Sequence, residues 1–146
     1  MTAEELKART KAFALRAIKV VDALPRGLAG QVIGKQLMRS ATSIGANYRS
    51  ACRAQSRPDF AAKLAITSEE TDETIYWLEL LGESGLVNPV RLDELIREAG
   101  ELLAIFTASR KTARQSLTAQ RPATEPRFNR QSSIINHQSV GRNDVG

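Results

Sequence analysis

The chain has 146 residues, 42% apolar and 5% aromatic, with one cysteine and a formal charge of +5. That length can bury one domain core, and the single Cys52 excludes a disulfide framework or a cysteine-based metal cluster within one chain. Residues 1–109 hold 14 Lys/Arg against 14 Asp/Glu, so the positive excess lies in residues 110–146, where seven cations face Glu125 and Asp144.

The bias toward Ala, Leu, Arg and Glu favours helices. The N-terminus MTAEELKARTKAF is charged and amphipathic rather than a signal peptide. No apolar run approaches a membrane span. A soluble protein of the reducing cytoplasm, without membrane partners, is the expectation.

The first predicted helix runs from about Thr2 to Leu24. Leu6, Phe13, Ala17, Val20, Val21 and Leu24 recur at helical spacing, and Pro25 stops it. PRGLAG then reads as a loop. The second helix spans about Leu28 to Gln55, with Ile33, Leu37, Ala41, Ile44, Tyr48 and Cys52 on one face. Ser56 and Asp59 form an S-x-x-D cap for a third helix, with Pro58 tolerated in its first turn. Its main stripe is Phe60, Leu64, Thr67, Thr71, Thr74, Ile75, Leu78 and Leu81; Gly82 and Gly85 can end it. Asn88 and Pro89 open a fourth helix that buries Leu92, Leu95, Ile96, Ala99, Leu102, Leu103 and Phe106.

After about Gln115 the periodicity fails. Residues 116–146 read as a basic tail without a core of its own. Residues 1–115 read as an all-α, antiparallel up-and-down four-helix bundle. The alternative is a long hairpin that buries its faces only in an oligomer.

The stretch from Leu37 to Arg57 contains no acid. At about 100° per residue, Lys35, Arg39, Arg49, Arg53 and Arg57 fall within an arc of roughly 80°, opposite the apolar face. Arg57 is the weakest member, past the expected helix end. The third helix has the opposite bias: Leu64 to Val90 holds six acids and no Lys or Arg. A second stripe there, Ile66, Glu70, Glu73, Trp77 and Leu80, has heptad-like spacing and points to a second interface, most simply with another subunit. Trp77 is an interface anchor or a core filler. Three readings of the basic stripe stay open: pairing with an acidic helix within or between subunits, contact with nucleic-acid phosphate, or a solvated face.

The segment QLMRSATSIGAN followed by YRSACRA, then PDFAAKLAI and ETIYWLELL, resembles the four-helix-bundle proteins encoded in intervening sequences of bacterial large-subunit ribosomal RNA genes. RTKAFALRAIKVV fits the same pattern, and the resemblance covers about residues 8–112. It implies an all-helical bundle assembled as a homopentamer. A related protein, the accessory protein of diversity-generating retroelements, is a basic pentameric barrel that binds a reverse transcriptase and nucleic acid. By analogy, self, RNA or DNA, and a reverse transcriptase or other nucleic-acid enzyme are the expected partners. Many relatives read S-I-P-A-N-I-A-E-G where this chain reads SIGANYRSA: Gly45 replaces the proline, the acid is missing, and Arg49 and Arg53 stand nearby.

No catalytic constellation is legible. His137 is the only histidine and has no companion. Cys52 reads as a buried inert thiol. Glu69, Glu70, Asp72 and Glu73 lack the E-x-x-H units of bundle metal sites, so no metal and no cofactor is expected. Ser40, Ser43 and Asn47 lie on a tight helix face, where buried hydrogen bonds between helices would set register. Ligand contact is the other reading of Asn47. A non-enzymatic oligomer that binds structured RNA or DNA, or a scaffold whose basic and acidic faces pair with each other, are the two functional expectations.

Overall fold

The structure is a computed structural model and describes residues 1–119. It contains four helices: α1 (Ala3–Asp22), α2 (Leu28–Cys52), α3 (Arg57–Glu83) and α4 (Pro89–Ala119). Each packs on its chain neighbours, and α1 closes the square against α4. This is an all-α four-helix bundle. Among the described residues no helix is long and apolar enough to cross a membrane.

Local chemistry sets the helix ends. Thr2 accepts the Glu5 N–H at 3.1 Å, and the Glu5 carboxylate accepts the Thr2 N–H at 2.7 Å, a reciprocal cap signalled by the spacing T-x-x-E. Ser56 caps α3 by accepting the Asp59 N–H at 3.2 Å, but Asp59 reaches back to Gln55 N–H rather than to Ser56. Gly85, at φ +78°, takes the left-handed turn after α3. Asn88 accepts the Val90 N–H at 3.2 Å at the start of α4.

Two boundaries differ from the sequence reading. α2 stops at Cys52, about one turn short of Gln55, where the Arg53 and Ala54 N–H groups fold onto Ser50 and Ala51 carbonyls in a tightened last turn. α4 runs to Ala119, beyond Gln115, and Thr112 and Ser116 hydroxyls donate to Ala108 and Thr112 carbonyls along it. Arg110, Lys111 and Arg114, counted above with the basic C-terminal excess, are therefore helical side chains of the bundle. The tail from residue 120 onward, with His137, lies outside the described residues.

The core follows steps of three and four: Leu6, Phe13 and Ala17 on α1; Leu37, Ala41, Ile44, Tyr48 and Ala51 on α2; Leu64, Leu78 and Leu81 on α3; Leu92, Leu95, Ala99, Leu102 and Phe106 on α4. This is knobs-into-holes spacing. Tyr48 and Phe106 meet across the diagonal with ring centroids 5.6 Å apart. The middle of α3 buries Thr67, Thr71 and Thr74 completely. Their hydroxyls donate to the carbonyls of Lys63, Thr67 and Glu70 at 2.7–2.9 Å, so each buried polar group is satisfied within its own helix and the methyl faces the core.

α2 approaches α1 closely because glycines line the contact. A Cβ on Gly45 would sit 3.2 Å from Thr10 Oγ1, and one on Gly34 would sit 3.1 Å from Leu24 Cδ1. Gly45 is thus a residue that α1 packs against. The α1–α4 contact is the loosest of the four and is bridged by charge. Arg9 donates to both Glu98 oxygens at 2.5 and 2.8 Å and also pairs with Glu101; Arg16 reaches Glu94 at 3.9 Å.

Candidate nucleic-acid interface

The five-cation stripe does not act as one unit. α2 carries Lys35, Arg39 and Arg49 and no acid, while α3 carries seven acids against Arg57 and Lys63. Between them one cation is committed. Arg39 donates to Glu70 at 3.1 Å and pairs with Glu73. Trp77 Nε1 donates to the same Glu73 oxygen at 3.2 Å. The Arg39 guanidinium holds the Glu73 carboxyl below its ordinary range, and the indole N–H adds to that. Glu70, Glu73 and Trp77 therefore face α2 of their own chain. Trp77 packs on the edge of the core and meets Tyr76 edge-on, with centroids 5.0 Å apart. Of the second stripe, Ile66 is exposed and Leu80 is partly covered.

Lys35 stands apart from the remaining arginines. It borders an open groove of about 530 Å³ between the end of α1 and the start of α2, with Arg26, Leu24, Pro25 and Met38. Gly30 and Gly34 also line it. Leu28 and Val32, 78% and 52% exposed, project from the same end of α2.

Arg49, Arg53 and Arg57 gather at the opposite end, around the turn from α2 into α3. All three are exposed, and none lies in an ion pair with an acid among the described residues. With α2 ending at Cys52, Arg53 caps that helix and Arg57 is the first residue of α3, so the last two cations sit on a corner and not on a continuous helix face. α4 brings three more cations to this end. With Arg9 opposite Glu98 and Glu101, and Arg16 opposite Glu94, the start of α1 lies level with the turn around Phe106. The rest of α4, with Arg110, Lys111 and Arg114, extends past it. Arg110 Nε is buried without a hydrogen-bond partner among the described residues.

Beyond the reach of α1, α4 borders a second open groove of about 500 Å³, lined by Arg57 and Phe60 of α3 and by Ala108, Ser109, Thr112, Ala113 and Ser116 of α4. The sequence reading missed it because α1 was not placed against α4. The long apolar-to-small pattern of α4, continuing beyond the last residue that α1 can reach, was the available signal.

Ser40, Ser43 and Asn47 do not tie helices together. Ser40 donates to Leu37 O at 3.4 Å, Ser43 to Arg39 O at 2.6 Å, and Asn47 to Ser43 O at 2.9 Å, all within α2. Short side chains on a helix reach the carbonyl one turn back more readily than a neighbouring helix. Register here comes from apolar spacing and the glycine contacts. Cys52 is partly buried beside the core. Burial raises the Tyr48 phenol well above its ordinary pKa, and the neighbouring Cys52 thiol adds to this, so it stays protonated near neutral pH.

The sequence comparisons agree with this architecture. Residues 4–108 match the family described as 23S rRNA-intervening sequence protein. The crystal structure at 1.70 Å resolution of a protein of unknown function from the S23 ribosomal protein family of Bacteroides thetaiotaomicron VPI-5482 is similar, with a TM-score of 0.70 and 35% identity. The match covers 76% of this chain and 99% of that one. A comparison with curated proteins finds no match. A shared bundle, and a family match that runs from the first turn of α1 to beyond Phe106, place this chain in the family of 23S rRNA-intervening sequence proteins.

Proposed function

We propose that this protein is a non-enzymatic, homo-oligomeric bundle that binds structured RNA or DNA through its basic α2–α3 corner. The carrying observation is the gathering of exposed Arg49, Arg53 and Arg57 at the bundle end that also holds Lys111 and Arg114, without ion pairs among the described residues. Exposed cations without an ion-pair partner among the described residues attract phosphate, and the release of counterions makes that attraction salt-dependent. The sequence adds Arg121, Arg127, Arg130 and Arg142 beyond α4.

Self-association is supported by exposed apolar side chains on α2 and α3, Leu28, Val32, Ile66 and Tyr76, and by the contrast between basic α2 and acidic α3. Unlike surfaces on one chain suit a head-to-tail contact that closes into a ring. A homopentamer is the ring that the family resemblance implies.

The test is nucleic-acid binding by fluorescence anisotropy across a salt series, with light scattering alongside. The double variant Arg49→Ala/Arg53→Ala should stay folded and oligomeric, bind more weakly and reduce the salt slope by about one to two units. Unchanged affinity and slope would overturn the corner as the interface.

A second reading, a scaffold without nucleic acid, is favoured by one observation: Arg39 already pairs with Glu70 and Glu73. On that reading Arg49→Glu or Arg53→Glu breaks the oligomer, and the wild-type protein ignores RNA at low salt.

A further inference from the structure

The groove at the free end of α4 combines three features that a smooth basic surface lacks. It has an aromatic wall, Phe60, and a cation on its rim, Arg57. Its α4 side is mostly carbon: Ala108 and Ala113 contribute methyls, and the Thr112 hydroxyl is turned onto the Ala108 carbonyl at 3.1 Å. No acid lines it. The one acid in the first turn of α3, Asp59, is committed to Lys63 at 3.0 Å and to the Gln55 N–H.

An apolar, partly aromatic slot, with a cation at its mouth that pairs with no acid among the described residues, fits a flat ring attached to an anion. Such a ligand is a nucleotide whose base has left its stack. A fatty acid would need a more enclosed pocket. A partner helix would gain little from so short a floor with charge of a single sign.

We infer that this groove takes one unpaired nucleotide of an RNA, with the base against Phe60 and the adjoining phosphate on Arg57. The α3 N-terminus, where Arg57 is the first residue, adds its partial positive charge. Ser109 lines the groove and makes no side-chain hydrogen bond among the described residues, which leaves its hydroxyl available to a ribose 2′-hydroxyl. This inference rests on the nucleic-acid reading above and refines it. A loop, bulge or end of a structured RNA is bound in preference to a continuous duplex.

The experiment uses the full chain and three labelled probes: a short single-stranded oligoadenylate RNA, the same sequence as DNA, and a blunt RNA duplex of equal length. Wild-type protein should bind the single-stranded RNA most tightly. Phe60→Leu should weaken it about tenfold while leaving the duplex unchanged, because one base–aromatic contact is lost. Arg57→Ala should reduce the single-strand salt slope by about 0.7. Ser109→Ala should narrow the preference for RNA over DNA. Because Phe60 also touches the core, Thr112→Glu, an exposed change on the groove wall, serves as the second variant and should abolish single-strand binding without loss of helicity.

Equal binding of duplex and single strand, or wild-type affinity in Phe60→Leu and Thr112→Glu, would overturn the nucleotide site and leave the basic corner standing. A Thr112→Glu protein with altered oligomer mass and intact RNA binding would reassign the groove to self-contact and overturn the inference. A wild-type protein that binds none of the three probes would overturn the parent reading as well.

Discussion

Arg39 of α2 and Glu73 of α3 form an ion pair, and Trp77 donates its indole N–H to the same carboxylate oxygen at 3.2 Å. The basic and acidic helices are thus joined at one point within the chain, and a fluorescent side chain reports on it. Arg39→Ala should preserve helical content and shift Trp77 emission to longer wavelength as the carboxylate becomes hydrated. In about 1 M salt, where the Debye length is about 3 Å, the wild-type emission should move toward that of the variant. An emission spectrum insensitive to both changes would show that the contact does not persist in solution.

Arg9 and Glu98 give the clearest pH signature. Their paired hydrogen bonds join the two most loosely packed helices. The Arg9 guanidinium holds the Glu98 carboxyl below its ordinary value of 4.5. A carboxylate whose pKa is lowered on folding contributes stability above its unfolded pKa and loses it as the pH falls through the folded one. Glu98→Gln should therefore cost about 1–2 kcal/mol near neutral pH, the range of a half-buried charge-assisted pair. The difference from wild type should close as the pH drops below 4.5. Urea titrations at pH 7 and in acid measure both values. A gap that does not change with pH would contradict the ion pair.

Thr71 sits at the centre of α3 with no exposure and donates to the Thr67 carbonyl at 2.7 Å. That carbonyl is already within reach of a helix N–H, so losing the hydroxyl together with its desolvation costs little. Thr71→Val should be neutral or stabilising by up to about 1 kcal/mol. Thr71→Ala also removes a packed methyl group and should cost about 1 kcal/mol. Thermal unfolding of the two variants should rank valine above alanine. The reverse order would mean that the hydroxyl has a second partner.

Gly45 and Gly100 should respond in opposite directions. A Cβ on Gly45 meets Thr10 at 3.2 Å, whereas one on Gly100 meets nothing within 4 Å. Gly45→Val forces two more carbons toward α1 and should destabilise by about 2 kcal/mol. Gly100→Ala, in an exposed helix interior, should stabilise by about 0.5–1 kcal/mol. Denaturation midpoints of the pair check the α1–α2 spacing directly.

Much of the fold was legible in the chain. Leu37, Ala41, Ile44 and Tyr48, or Leu92, Leu95, Ala99 and Leu102, repeat at three- and four-residue steps, and that spacing alone dictates helices with one buried face. Pro25, Ser56, Asn88 and Pro89 act on their own neighbours, so helix starts and stops fall near them. The site was less legible. A helical-wheel argument placed Lys35, Arg39, Arg49, Arg53 and Arg57 on one face, and that holds only while one helix carries all five. The tightened end of α2 at Cys52 moved two of them onto a corner.

Local sequence thus determined four amphipathic helices, a core built on heptad-like spacing, and an α2 without acids, because periodicity and capping act within a few residues. Tertiary structure alone decided which cation is neutralised and which is left to solvent. Arg39 finds Glu70 and Glu73 because α3 lies antiparallel beside it, and Arg57 joins Phe60 and the free end of α4 because α1 starts too late to cover them. Ion pairs and grooves depend on the distance between helices remote in sequence, and that distance is set by how closely residues such as Gly45 and Thr71 let backbones approach.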